Sequence, residues 1–187
     1  MLSLDLFGAP TARCGDGVVT LDFDADAYSC HYDPVDHGWE GGAEPLLPIW
    51  REPEVSDDRL EAGDRRLCFR AWCAALTSFF RKPIRALMME AMHLDQAPLQ
   101  RSAAPAQNLA ARFERMSLYL PYRASCLLRA YALLHYLSYH GRRADWVIGV
   151  QLFPFRAHCW LAIDDMLIGE RVHLIEDYVP IFRLRQS

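Results

Sequence analysis

"PYRASCLLRAYALLHYLSYHGRRADWVIGVQLFPFRAHCWLAIDD" (residues 121–165) changes its periodicity halfway along. From Ser125 to Tyr139 the apolar positions Leu127, Leu128, Tyr131, Leu134, Tyr136 and Leu137 cover most of a helical surface, which predicts a central helix packed on several sides. Gly141 ends it. The next two apolar runs, ADWVIGVQLF and AHCWLAIDD, have the length and β-branched content of strands and are joined around Pro154. A helix followed by paired antiparallel strands predicts an α+β fold.

Outward from this stretch, MLIGER and VPIFRL offer two further strands. Upstream, helical spacing runs from Arg65 to Leu94 and is divided into two helices at Pro83. Residues 96–108, rich in Pro, Ser and Gln, read as a linker, and Leu109 to Leu118 as another helix. The first third reads as a β-hairpin: a Gly-Asp-Gly turn at 15–17, a run over Val18, Val19, Leu21 and Phe23, a polar turn at 24–26, and a second run from Tyr28 to Tyr32. Between Asp33 and Asp64, SDDRLEAG has the signature of a short helix with Ser56 as N-cap and Gly63 past its end. The expected organisation is a small N-terminal module over residues 1–63 and a second domain over 64–187.

The chain has 187 residues, 52% of them hydrophobic, enough for one domain with a substantial core or for two small ones. A net charge of −4 argues against a general grip on nucleic acid, which draws on clustered Lys and Arg. Arg65, Arg66 and Arg70, with Arg142 and Arg143, read as solvated helix faces. No apolar run reaches the roughly 18 residues of a membrane span and the start lacks a signal-peptide pattern, so a cytoplasmic protein is expected. The six cysteines contain no CxxC pair, the strong zinc signal, and no cofactor is called for. A weaker metal reading would use Cys30, His31 and His37.

Ser125 is a natural N-cap, which puts Cys126 in the first helical turn, where unpaired N–H groups and the helix dipole favour an anion. A thiol there has a lowered pKa, and a nearby imidazolium lowers it further. His158 lies in a strand, with Trp160 on its face. Held rigidly, it suits a general base. An acid would then orient the ring, from Asp164 or Asp165 in the turn or from Glu170 beyond it. The alternative is an ordinary buried thiol beside a core histidine.

The order of helix-start Cys, strand His and later acid resembles papain-like and transglutaminase-like folds. The stretch from Cys126 to Asp164 is more narrowly similar to the C-terminal domain of the lasso-peptide maturation B proteins, leader peptidases of the transglutaminase-like cysteine protease superfamily. Cys126, Leu127, Arg129, Gly141, Ala144, Val147 to Val150, Phe155, Ala157, His158 and Trp160 carry that resemblance, over about 40 residues. It implies Cys126 as nucleophile and His158 as base. The family's usual Asp aligns with Glu170, a departure that leaves Asp164 and Asp165 as substitutes. The N-terminal hairpin is similar to the small winged-helix-like modules that recognise precursor peptides, with Leu21, Asp22, Asp26 and Tyr28 matching. The resemblance implies a precursor peptide as partner, bound by its leader segment added as a strand to the sheet edge, and an ATP-dependent macrolactam synthetase as a second. An amidase or acyltransferase of the same superfamily and a non-catalytic peptide-binding scaffold are the competing readings.

Overall fold

A computed structural model describes residues 8–32, 48–94, 100–119 and 124–185. Three short antiparallel strands open the chain: β1 (Thr11–Cys14), β2 (Gly17–Asp22) and β3 (Ala27–Tyr32), in the order β1-β2-β3. Helices α1 (Asp64–Phe79), α2 (Ile84–Met92), α3 (Ala103–Ser117) and α4 (Cys126–Tyr139) follow. Then come β4 (Asp145–Gln151), β5 (Arg156–Ile163), β6 (Met166–Ile168), a single helical turn α5 (Val172–Ile175) and β7 (Val179–Leu184). The second sheet has the order β6-β5-β4-β7 with every pair antiparallel, so the fold is α+β. No helix among the described residues is long and apolar enough to cross a membrane.

Helix α4 is the centre of the packing, as its all-round apolar surface requires. Every residue from Ala130 to Ser138 is buried, and the Tyr131 ring stacks on Trp146 of β4 at 5.5 Å. Across the helix Phe113 of α3 meets Tyr136 at 5.5 Å and stacks on Trp72 of α1. The sheet's opposite face carries Val147, Trp160, Ala162 and Leu167, covered by Ile175 and Trp50. Gly149, opposite His158 in the β4–β5 pair, is part of that face: a Cβ there would lie 2.5 Å from the Trp160 ring. Only glycine lets the indole lie flat across the strand.

Two local expectations fail for physical reasons. Residues 103–108, read as linker, are the first turns of α3: Ser102 is the N-cap and Pro105 sits in the first turn, where its missing N–H has no helical partner to lose. Ser56 caps no helix. Its N–H and that of Asp57 donate instead to Asn108 Oδ1 on α3, at 3.0 and 3.2 Å, so a tertiary acceptor replaces the local turn. Gly63, with φ 102°, precedes α1 as its N-cap and does not terminate a helix. No helix occurs among the described residues before α1, where the three-stranded sheet is the regular structure.

That N-terminal sheet packs on the second one. Val19, Leu21 and Phe23 join the same buried cluster as α4 and β4, and Phe23 meets Phe182 of β7 edge-on at 4.8 Å. The Cys14 thiol donates to the Val150 carbonyl at 3.8 Å, and Leu152 occupies the space over Gly17 that a side chain would need. Residues 50–51 then reach the other edge: Arg51 donates its N–H to the Asp165 carbonyl and accepts from Leu167 of β6.

Candidate active site

The start of α4 is fixed by Ser125, whose hydroxyl accepts the Leu128 N–H at 3.3 Å. This leaves Cys126 as the first helical residue, its sulfur directed at β5. The thiol has both His158 and Cys159 as partners. His158 Nε2 lies 3.1 Å from Glu170 Oε2, which leaves Nδ1 as the nitrogen for sulfur. The described structure thus brings Cys126, His158 and Glu170 into one line. Asp164 and Asp165 stay outside it: Asp164 is an exposed turn residue with φ 56° facing Arg101, and Asp165 pairs with Arg51 at the surface.

Glu170 is held from three sides. Its Oε2 also accepts from Arg129 Nη1 at 3.3 Å, and its Oε1 accepts the Arg171 N–H at 3.2 Å. Arg129 sits three residues after Cys126, on the same face of α4, and donates as well to the Gly169 carbonyl (2.7 Å) and to Glu114 Oε1 on α3 (2.9 Å). One guanidinium therefore ties the acid, its preceding residue and a neighbouring helix to the helix that carries the thiol. Arg129 is legible in the sequence through its spacing from Cys126, but its partners are not.

The charges follow from these contacts. The Cys126 thiol is pushed down to about 4, first by the Cys159 thiol against its sulfur and then, against the opposing effect of burial, by His158 and the Cys159 N–H. Burial alone would lower His158, but Cys126 and Glu170 outweigh it and hold the imidazole up to about 9. Burial would likewise raise Glu170, and its bonds to His158 and Arg129 bring it below the usual carboxylate range. Because the thiol titrates below the imidazole, a thiolate–imidazolium pair persists between about pH 4 and about pH 9. Cys159, expected only as a small neighbour of the histidine, is fully buried, and burial followed by the facing thiolate keeps it protonated. Tyr178 and Trp160 lie beside the imidazole, at 5.5 and 6.1 Å between ring centres.

The hairpin residues expected to touch peptide are placed differently from one another. Leu21 is buried in the core. Asp22 accepts the Asp24 and Ala25 N–H groups, at 2.8 and 2.9 Å, and Asp26 turns the chain with φ 50°, so both build the β2–β3 turn. Tyr28 is half-buried against Phe155, with ring centres 5.5 Å apart. Cys30 and His31 are consecutive in β3 and point to opposite faces, and His37 lies outside the described residues.

No curated protein and no solved structure shows a significant match to the chain. A family profile does match, from α1 to β7, and so spans the helix that opens with Cys126, the strand that carries His158, and Glu170. Cysteine-based enzymes are typical of that family. With residues 71–183 matched, well over half its length, the chain belongs to the transglutaminase-like superfamily.

Proposed function

We propose that the protein is a cysteine peptidase that removes the leader from a ribosomally made lasso-peptide precursor before macrolactam closure. The observation that carries the chemistry is the line from Cys126 through His158 to Glu170, with the thiol titrating below the imidazole. The thiolate attacks the scissile carbonyl carbon, and the Cys126 N–H, at the helix start where the first N–H groups have no intrahelical partner, is a donor for the oxyanion. The C–N bond breaks as the imidazolium gives its proton to the leaving amine, which leaves a thioester. Water then attacks, losing a proton to His158, and releases the carboxylate and the thiolate.

Support for a leader partner comes from the N-terminal sheet. Its order leaves the outer edge of β3 without a strand partner among the described residues, and most of β3 is exposed. A leader segment adding there as a fourth strand would use main-chain hydrogen bonds for affinity. The 1–63 segment is then the recognition module and 64–187 the peptidase, with an ATP-dependent macrolactam synthetase taking up the freed amine.

The test is mass analysis of a candidate precursor incubated with full-length protein. Cys126→Ala should abolish cleavage and His158→Ala should reduce it nearly as far, both leaving leader binding intact. Appreciable cleavage by Cys126→Ala would refute the cysteine mechanism. A product carrying an added amine in place of a new carboxylate would move the reading to an acyltransferase on the same thioester.

A further inference from the structure

Helix α1 and the end of α3 form a groove lined by none of the residues around Cys126. On α1, Arg65, Phe69 and Trp72 follow one another at i, i+4 and i+7 and so share a face. On α3, Arg115, Met116 and Tyr119 make the facing wall. Trp72 closes the floor: it is buried, stacks on Phe113 with ring centres 5.5 Å apart, and donates its indole N–H to Ser117 Oγ at 3.2 Å. Above it about 600 Å³ stays open, with Phe69 69% and Tyr119 89% exposed.

The charge of this groove is one-sided. In a chain of net charge −4 its lining holds two arginines and no carboxylate. Arg70, one turn further along α1, is drawn off to the Tyr139 ring at 4.5 Å, and Arg115 spends one nitrogen on Asp58 at 3.1 Å. The Arg65 side chain has no carboxylate against it among the described residues. A merely solvated basic face needs no rings, whereas exposed aromatics with Met and Arg are the composition of interface cores, where Trp, Tyr and Arg carry most of the binding energy. A small-molecule pocket encloses most of its ligand, but this groove lies between two helices and leaves its outer side open, the arrangement in which a third helix seats an apolar stripe.

We propose that the groove between α1 and α3 docks an acidic amphipathic helix of a partner protein. The apolar stripe of that helix lies on Phe69, Trp72 and Met116, and its flanking carboxylates meet Arg65 and Arg115. The surface is distinct from the line of Cys126, His158 and Glu170, and the proposal does not rest on the peptidase reading.

The experiment measures fluorescence anisotropy of labelled peptides, each about four helical turns long, on the full-length protein. One carries leucines at i, i+3, i+4 and i+7 with glutamates on both flanks, a second has the same stripe with lysines on the flanks, and a third is a scramble of the first. The acidic amphipathic peptide should bind at least about tenfold more tightly than either of the others. Phe69→Ala should weaken it about fivefold or more. Arg65→Glu should weaken it to a similar extent and tighten the binding of the lysine-flanked peptide, a reversal that loss of folded protein does not produce. Both side chains are exposed, so the unfolding midpoints should match wild type, and Cys126→Ala should bind the acidic peptide unchanged. Equal affinities for the three peptides, or an acidic-peptide affinity unmoved in both groove variants, would overturn the proposal. So would binding of decanoate without binding of the peptide, which would assign the groove to a small amphiphile, or self-association in sedimentation that Phe69→Ala abolishes, which would assign it to a second copy of this chain.

Discussion

Replacing Glu170 by Gln tests the acid with almost no change of shape. In the native site all three neighbours donate to the carboxylate: His158 and Arg129 to Oε2, and the Arg171 N–H to Oε1. An amide has one oxygen. If that oxygen keeps the Oε2 position, the NH2 group faces the Arg171 N–H and one bond is lost; turned the other way, two are lost. The charge goes in either case. Exchanging a charge-assisted bond to the imidazole for a neutral one costs about 1–2 kcal/mol, which is about one pKa unit on the histidine. The imidazolium that His158 keeps up to about pH 9 should therefore be lost about a unit earlier.

Glu170→Gln should lower kcat at least about tenfold at neutral pH, which is about 1.4 kcal/mol. The alkaline limb of the pH–rate profile should move down in step. The sign follows from the pair: imidazolium is present below the His158 pKa, so a lower pKa narrows the active window from its alkaline side and leaves the acid side, set by Cys126, in place. Precursor cleavage gives kcat, and the pH dependence of iodoacetamide alkylation at Cys126 gives the limbs independently. Asp164→Asn and Asp165→Asn should match wild type, since their contacts to Arg101 and Arg51 are at the surface and contribute at most about 1 kcal/mol. An unmoved alkaline limb together with kcat within twofold of wild type would refute an orienting role for Glu170 and leave Cys126 and His158 as a dyad.

Cys159→Ala removes the thiol that lies against the Cys126 sulfur but keeps the backbone N–H, so the acid limb of alkylation should rise from about 4 by about a unit; an unchanged limb would deny that contact. Gly149→Val should cost about 1–3 kcal/mol by urea unfolding and also lower kcat, because its Cβ would displace the Trp160 ring that lies beside His158. Asp145→Asn should be a stability variant alone: the buried carboxylate pairs with both Arg101 and Arg183, and its loss should cost about 3 kcal/mol with kcat of the folded protein preserved.

Much of the fold was legible because its signals are local. The α4 helix and the β4–β5 pair are bounded by Ser125, Gly141 and Pro154, and α1 and α2 are separated at Pro83, so periodicity and punctuation agree. The parts that were not legible depend on partners distant in sequence. Asn108 takes over the Ser56 N–H, and Arg112 draws Glu61 into an ion pair, so a segment with a helix signature does not form a helix. The site divides in the same way. Cys126 and His158 follow from the helix start and the strand, whereas Cys159 was hidden by the alternation rule: consecutive strand residues point to opposite faces, yet the end of a helix abutting a strand can touch both. The i, i+3 spacing of Cys126 and Arg129 was available in the sequence and would have indicated a second functional side chain on that face.

A Glu at position 170, where an Asp would be shorter, fits how the chain enters that position. The acid does not project from a strand. Strand β6 ends at Ile168, and Gly169 turns the backbone with φ 69° in the left-handed region that glycine adopts without strain. That turn is pinned on both sides, by the Gln107 side chain accepting the Gly169 N–H at 2.8 Å and by Arg129 donating to its carbonyl at 2.7 Å. A Cβ at 169 would lie 3.0 Å from Leu133 and 3.2 Å from Ala110, so the turn is seated against α4 and α3. The carboxylate must reach His158 and Arg129 from this fixed backbone, and an Asp would fall short by one carbon–carbon bond, about 1.5 Å. The extra methylene of Glu170 and the glycine before it are two parts of one solution: the bend secures the acid to the helix that carries Cys126, and the longer side chain spans what the bend leaves open.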